Sequence, residues 1–155
     1  MPLEPGALVV RRAMQINATP ERVWREFESF ERFSAWWTTR EADRKEGVRK
    51  YEPRVGGRVE MPCEWDGGSC VFVGNVTSIQ PQHELTWELS VEGADWLAPS
   101  YVTVRLTPNA YGTLVEILHY GFEKIGDAAV QQFQDFEGGW DLRELRALRA
   151  LVEAA

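Results

Sequence analysis

Residues 127–153 read DAAVQQFQDFEGGWDLRELRALRALVE, a run rich in strong helix formers and without proline. At 1.5 Å per residue it predicts a single helix roughly 40 Å long, the longest element of the chain. With Val130 at zero and ~100° per residue, Phe133, Phe136, Trp140, Leu145, Leu148, Leu151 and Val152 fall on one broad arc. Such a face must be covered, and the rest of the chain supplies the cover. Glu137, Asp141 and Glu144 fall within the same arc. Buried carboxylates need water, a cation or a ligand group beside them, unless Gly138-Gly139 kinks the helix and turns them outward. Arg143, Arg146 and Arg149 recur every third residue and read as the solvated face.

From Val48 to about Phe122 the period changes. Turn signals at Val55-Gly56-Gly57, Asp66-Gly67-Gly68-Ser69, Gln80-Pro81-Gln82, Gly93 to Pro99 and Pro108 to Gly112 cut the stretch into about six short strands. The links are too short for crossover helices, so the strands are antiparallel. Pro62 inside one of them predicts an edge or a bulge. Before this meander, Leu8–Ile16 forms a first strand. Thr19 and Pro20 then cap and open a short helix carrying Val23, Trp24, Phe27 and Phe30, and a second carries Phe33, Trp36 and Trp37. The predicted fold class is α+β: a curved antiparallel sheet of about seven strands around a long C-terminal α-helix, with two short helices after the first strand.

The chain has 155 residues, which suits one domain spanning 1–155. A net charge of −7 and the lack of a basic stripe argue against nucleic acid. No run approaches the apolar length a bilayer requires, and the N-terminus does not resemble a signal peptide. No membrane insertion and a cytoplasmic location are therefore expected. Cys63 and Cys70 lack His or Cys partners at metal-site spacing, so structural zinc is not expected. No cofactor is expected either. Monomer and homodimer both remain open.

Several segments resemble a known family in order and spacing. They are Ala18-Thr19-Pro20-Glu21-Arg22-Val23-Trp24, Trp36-Trp37, Tyr51-Glu52-Pro53-Arg54-Val55-Gly56-Gly57-Arg58, Gly74 to Pro81, Leu85-Thr86-Trp87, Val102 to Pro108, Gly112-Thr113 and Gly139-Trp140 with Leu145 and Leu148. Together they are similar to the SRPBCC superfamily, with its START-like helix-grip fold, and within it to domains homologous to the activator of the heat-shock chaperone ATPase. The resemblance implies apolar-ligand binding or a stress-related role and supplies no catalytic signature.

The interior is aromatic-rich, with seven Trp and seven Phe. A two-residue turn at Gly67-Gly68 would set Trp65 opposite Cys70 and Cys63 opposite Phe72, with the two cysteines diagonal, about 7–8 Å apart, and unbridged. Val59, Met61, Cys63, Trp65, Cys70, Phe72, Gly74 and Val76 then share the inner face. Alternation after Gly112-Thr113 points His119 inward, either satisfied in the core or touching a ligand, and Glu137 or Glu144 is expected to face it. The expected ligand-binding residues are Trp37, Met61, Cys63, Trp65, Phe72, Gly74, Trp87, His119, Phe133, Glu137, Trp140 and Glu144. The leading function is non-enzymatic binding of an apolar or amphipathic small molecule between sheet and C-terminal helix. The alternatives are a co-chaperone-like module stimulating a heat-shock ATPase, and a small polyketide-cyclase-type or hydrolase-type enzyme using His119 and a carboxylate.

Overall fold

The structure, a computed structural model, describes residues 7–41 and 44–154. Strand β1 (Val10–Ile16) leads through the Thr19 cap, whose hydroxyl accepts from Arg22 N, into helix α1 (Pro20–Trp24). A 3-10 turn over Arg25–Phe27 follows, and then α2 (Phe30–Trp37), capped by Ser29. Six strands follow from Lys50 onward, within the stretch from Val48 to Phe122 where about six were expected: β4 (Lys50–Tyr51), β5 (Arg58–Trp65), β6 (Gly68–Gln80), β7 (Glu84–Val91), β8 (Ser100–Asn109) and β9 (Gly112–Tyr120). With β1 they are the seven strands predicted. Two further short strands, β2 (Thr39–Glu41) and β3 (Arg44–Glu46), extend the sheet. All pairings are antiparallel, in the order β1-β9-β8-β7-β6-β5-β3-β2, with β4 also on β5.

Pro62 does not lie on an edge strand. Its carbonyl accepts from Gly47 N, on the side where β3 ends and β4 has not begun, so its missing N–H faces the interruption between these two short partners. Strand β6 approaches β7 closely at Gly74. A Cβ on Gly74 would lie 1.7 Å from the Glu88 carbonyl oxygen on β7, so only glycine lets the two strands approach there. Just beyond, the register slips between Val76 and Ser78, a bulge that adds curvature.

The expected single C-terminal helix is two: α3 (Ala129–Gly139) and α4 (Arg143–Glu153). Gly138 and Gly139 end the first, Trp140 is extended at φ −72 and ψ 132, and Asp141 Oδ1 accepts from Arg143 N at 2.8 Å to start the second. The break rotates the wheel between its two halves. In α4, Leu145, Leu148 and Val152 are buried, whereas Leu151 faces outward. Arg146 and Arg149 are solvated as predicted, but the Arg143 side chain is only 9% exposed and turns inward.

A smaller cluster gathers around Val10, Phe122 and Ile125, and the main core is an aromatic and aliphatic layer between the concave sheet face and the helices. Phe33 is its centre, stacked on Tyr51 at 4.0 Å and on Trp37 at 5.0 Å, with edge contacts to Trp36 and Trp87. Buried Glu26 is held by Arg22 and Arg32 at 3.1 and 2.7 Å.

Candidate functional site: an aromatic cavity and its groove

At the open end of the sheet, Trp37 from α2, Met61 and Cys63 from β5, Phe72 from β6, Trp87 and Leu89 from β7, Phe136 from α3, and Trp140 surround a cavity of about 40 Å³. Trp37 meets Trp87 and Trp140 edge-on at 5.7 and 5.9 Å, closing one side of the space with rings. The cavity suits water rather than an organic guest. Past Phe72 and Phe136 it continues into a groove of about 450 Å³ between the β5–β6 hairpin and α3. The groove is lined by Cys63, Trp65, Cys70, Phe72, Val91 and Phe136, with Gln132 and Asp135 on its α3 side. Its volume falls within the range of small-molecule sites, about 300–1,000 Å³.

The hairpin that forms one wall differs from its expected register. Asp66-Gly67 is the turn, Gly67 taking φ +101, so Trp65 pairs with Gly68 and Cys63 with Cys70. Parity is unchanged and the same residues share the inner face, but the cysteines stand directly opposite each other rather than diagonally. Trp65 is 45% exposed and lies against Gly68, where a Cβ would meet its ring at 3.0 Å. It forms the outer lip of the groove rather than part of the core.

His119 is fully buried behind Phe136 and Trp140. Neither Glu137 nor Glu144 faces it. The Trp140 indole donates to His119 Nδ1 at 3.0 Å, which leaves the proton on Nε2 to donate to Ser100 Oγ at 2.7 Å, and Ser100 donates onward to the Leu89 carbonyl. Burial drops the imidazole from its ordinary 6.5 to about 3. The helix break brings an indole, not a carboxylate, over His119. Glu137 stays on the surface beside Arg12, whose guanidinium also donates to the Glu137 carbonyl.

Glu144 is 2% exposed at the start of α4, near Glu46 of β3, while Arg143 reaches Glu46 at 3.7 Å. Burial pushes the Glu144 carboxyl up to about 8, and a hydrogen bond with Glu46 and that residue's charge add to the rise. Its Oε2 has no hydrogen-bond partner among the described residues. Glu46 itself lines the inner cavity beside Gly47 and Cys63.

Of the residues singled out from sequence, Trp37, Met61, Cys63, Phe72, Trp87 and Trp140 surround the cavity, and Trp65 lines the groove. Gly74 does not: its missing side chain would point into the Glu88 backbone. Phe133 packs on Phe122 in a separate cluster with Val10 and Ile125. His119, Glu137 and Glu144 are placed as described and line neither space. Sequence reasoning missed Glu46, Leu89, Val91, Gln132 and Asp135, and pointed Cys70 and Phe136 inward without assigning them to the site. Leu89 and Val91 continue the inward alternation of Trp87 on β7, a signal that was present; Glu46, Gln132 and Asp135 depend on where the hairpin and α3 come to rest.

The sequence profile of the family described as Activator of Hsp90 ATPase homolog 1-like protein matches residues 17–153. The chain belongs to this family. Its fold is shared by protein CV1439 of Chromobacterium violaceum, 24% identical with a TM-score of 0.70 over 94% of this chain and 96% of that one. Protein Ms6760 of Mycobacterium smegmatis is 19% identical, TM-score 0.76, over 98% and 94%. DynU16, a protein of the dynemicin biosynthetic locus, is 19% identical, TM-score 0.65, over 94% of this chain and 47% of its own. No curated protein matches the chain significantly. Among the described residues, no helix is long and apolar enough to cross a membrane, and no cluster of His, Cys, Asp and Glu has the makings of a metal site.

Proposed function

We propose that this family member binds an apolar or amphipathic small molecule in the groove between the β5–β6 hairpin and α3, with the ligand's apolar end against Phe72 and Phe136. The supporting observation is the groove itself: about 450 Å³ of space, walled by aromatic and aliphatic side chains, with Gln132 and Asp135 placed to meet a polar group. The inner cavity is too small to hold the ligand without moving Trp37 or Trp140. Enzymatic use of His119 as an acid or base lacks support, since both ring nitrogens are engaged by protein groups and the imidazole stays neutral at physiological pH.

Titration with 1-anilinonaphthalene-8-sulfonate, followed by its fluorescence, tests the proposal. Saturable one-to-one binding is expected, and Val91→Glu, which places a charge in the groove wall, should weaken it at least tenfold without lowering the unfolding temperature appreciably. Absence of saturable binding, or equal binding by the variant, refutes it. Family membership favours a second reading, a co-chaperone-like role; its test is stimulation of an Hsp90-type ATPase by the purified chain.

A further inference from the structure

Two cysteines, Cys63 and Cys70, stand directly opposite each other on the groove wall. Pro62 turns its carbonyl toward Gly47, and Val71 turns its own toward Glu92 on the opposite side, so Pro62 and Val71 do not bond to each other. The neighbouring pair, Cys63 and Cys70, is therefore a hydrogen-bonded pair, for which Cα atoms lie about 5.5 Å apart. Disulfides span Cα separations of about 4.4–6.8 Å, so the backbone already meets this requirement. Opposed Cβ atoms sit about 4.5–5.5 Å apart, whereas a disulfide draws them to about 3.8 Å. Closure thus calls for a small movement, at the free end of a hairpin two residues from its turn. The resulting bond would be strained, and strained disulfides are the readily reduced ones.

The two thiols are also unlike each other. Cys63 is buried with its Sγ donating to Glu46 Oε1 at 3.9 Å, an oxygen placed to accept its proton. Cys70 is half-buried and borders the groove, where a small oxidant can reach it.

We propose that Cys63 and Cys70 form a redox-responsive modification site, closing reversibly to a cross-strand disulfide when a peroxide enters the groove. The Cys70 thiolate attacks one oxygen of hydrogen peroxide and breaks the O–O bond, giving a sulfenic acid and hydroxide. The Cys63 sulfur then attacks the Cys70 sulfur, passing its proton by way of Glu46, and the sulfenic oxygen leaves as water. Two thiols lose two electrons in total and the peroxide gains them. This chemistry stands on the cysteine geometry and does not rest on the ligand-binding proposal.

The test treats the intact, native protein with a slight excess of hydrogen peroxide, followed by alkylation and by digestion after Glu64 under non-reducing conditions. The expected result is loss of both alkylatable thiols and recovery of two peptides joined through Cys63 and Cys70 within one chain, separated again by dithiothreitol. Cys63→Ser should halt the reaction at a Cys70 sulfenic acid that dimedone traps, whereas Cys70→Ser should slow oxidation of Cys63 at least tenfold. Three outcomes overturn the proposal: both cysteines remaining alkylatable, oxidation of Cys70 beyond the sulfenic acid in the parent protein, or linkage only between chains. Circular dichroism of each variant before treatment establishes that it is folded.

Discussion

Replacing Glu144 by glutamine should reveal a pH dependence of stability that the parent protein conceals. In the native state the Glu144 carboxyl has moved from 4.5 up to about 8, so between these values the folded protein holds a proton that the unfolded chain has released. The contribution of this group is whole below pH 4.5 and is lost as the pH rises toward 8, at ~1.4 kcal/mol per pH unit. His119 acts in the opposite sense. Its native value of about 3 lies below the ordinary 6.5, so the unfolded chain takes up a proton that the folded protein refuses. Its contribution is whole above pH 6.5 and falls with the same slope as the pH drops toward 3. Between pH 4.5 and 6.5 the two slopes cancel. Glu144→Gln removes one of them and should leave a protein that loses ~2.7 kcal/mol on going from pH 6.5 to 4.5, relative to the parent. His119→Gln should show the mirror image, and the double variant should be level again. Urea unfolding followed by tryptophan fluorescence at constant ionic strength gives these values, and each difference from the parent cancels the other carboxylates. A difference between Glu144→Gln and the parent that is the same at every pH would refute the buried, proton-holding carboxyl.

Three further outcomes follow from the geometry. Gly74→Ala forces a Cβ into the Glu88 carbonyl and should cost ~3 kcal/mol or prevent folding; thermal unfolding within a degree or two of the parent would show that β6 and β7 do not approach so closely. Trp140→Phe removes the donor to His119 Nδ1 and should cost ~1–3 kcal/mol by urea unfolding, because a buried acceptor is left unpaired; an unchanged midpoint would place the indole elsewhere. Gly138 lies within α3 with open space where a Cβ would go, so Gly138→Ala should raise stability by ~0.5–1 kcal/mol, and a loss would mean that the helix must yield at this point.

Local physics made much of the fold legible. Thr19 and Pro20 start a helix because their side chains satisfy or omit donors at its first turn, wherever that helix finally packs. Alternation along β9 sent His119 inward and Glu116 toward Arg11 at the surface, because side chains on a strand can point only two ways. The inner face of the β5–β6 hairpin was readable on the same ground. Its register was not: moving the turn from Gly67-Gly68 to Asp66-Gly67 keeps every face and changes every partner, and this small difference converts a diagonal cysteine pair into an opposed one.

By itself, then, the sequence determined the antiparallel meander, the two short helices after β1 and the apolar face of the C-terminal segment, all of which depend on neighbours a few residues apart, and, through the order and spacing of segments along the chain, the family resemblance. Only the tertiary structure decided that this segment breaks at Trp140, because the break is stabilised by an indole-to-imidazole hydrogen bond between residues 21 apart in sequence. It also decided that Glu137 stays outside while Glu144 goes in, that Glu46 from a short strand joins the polar end of the cavity, and that the aromatic rings fill the interior and leave the larger space in the groove outside it. Volumes, and partners for buried polar groups, are set by all the packed elements at once, and no local pattern carries them.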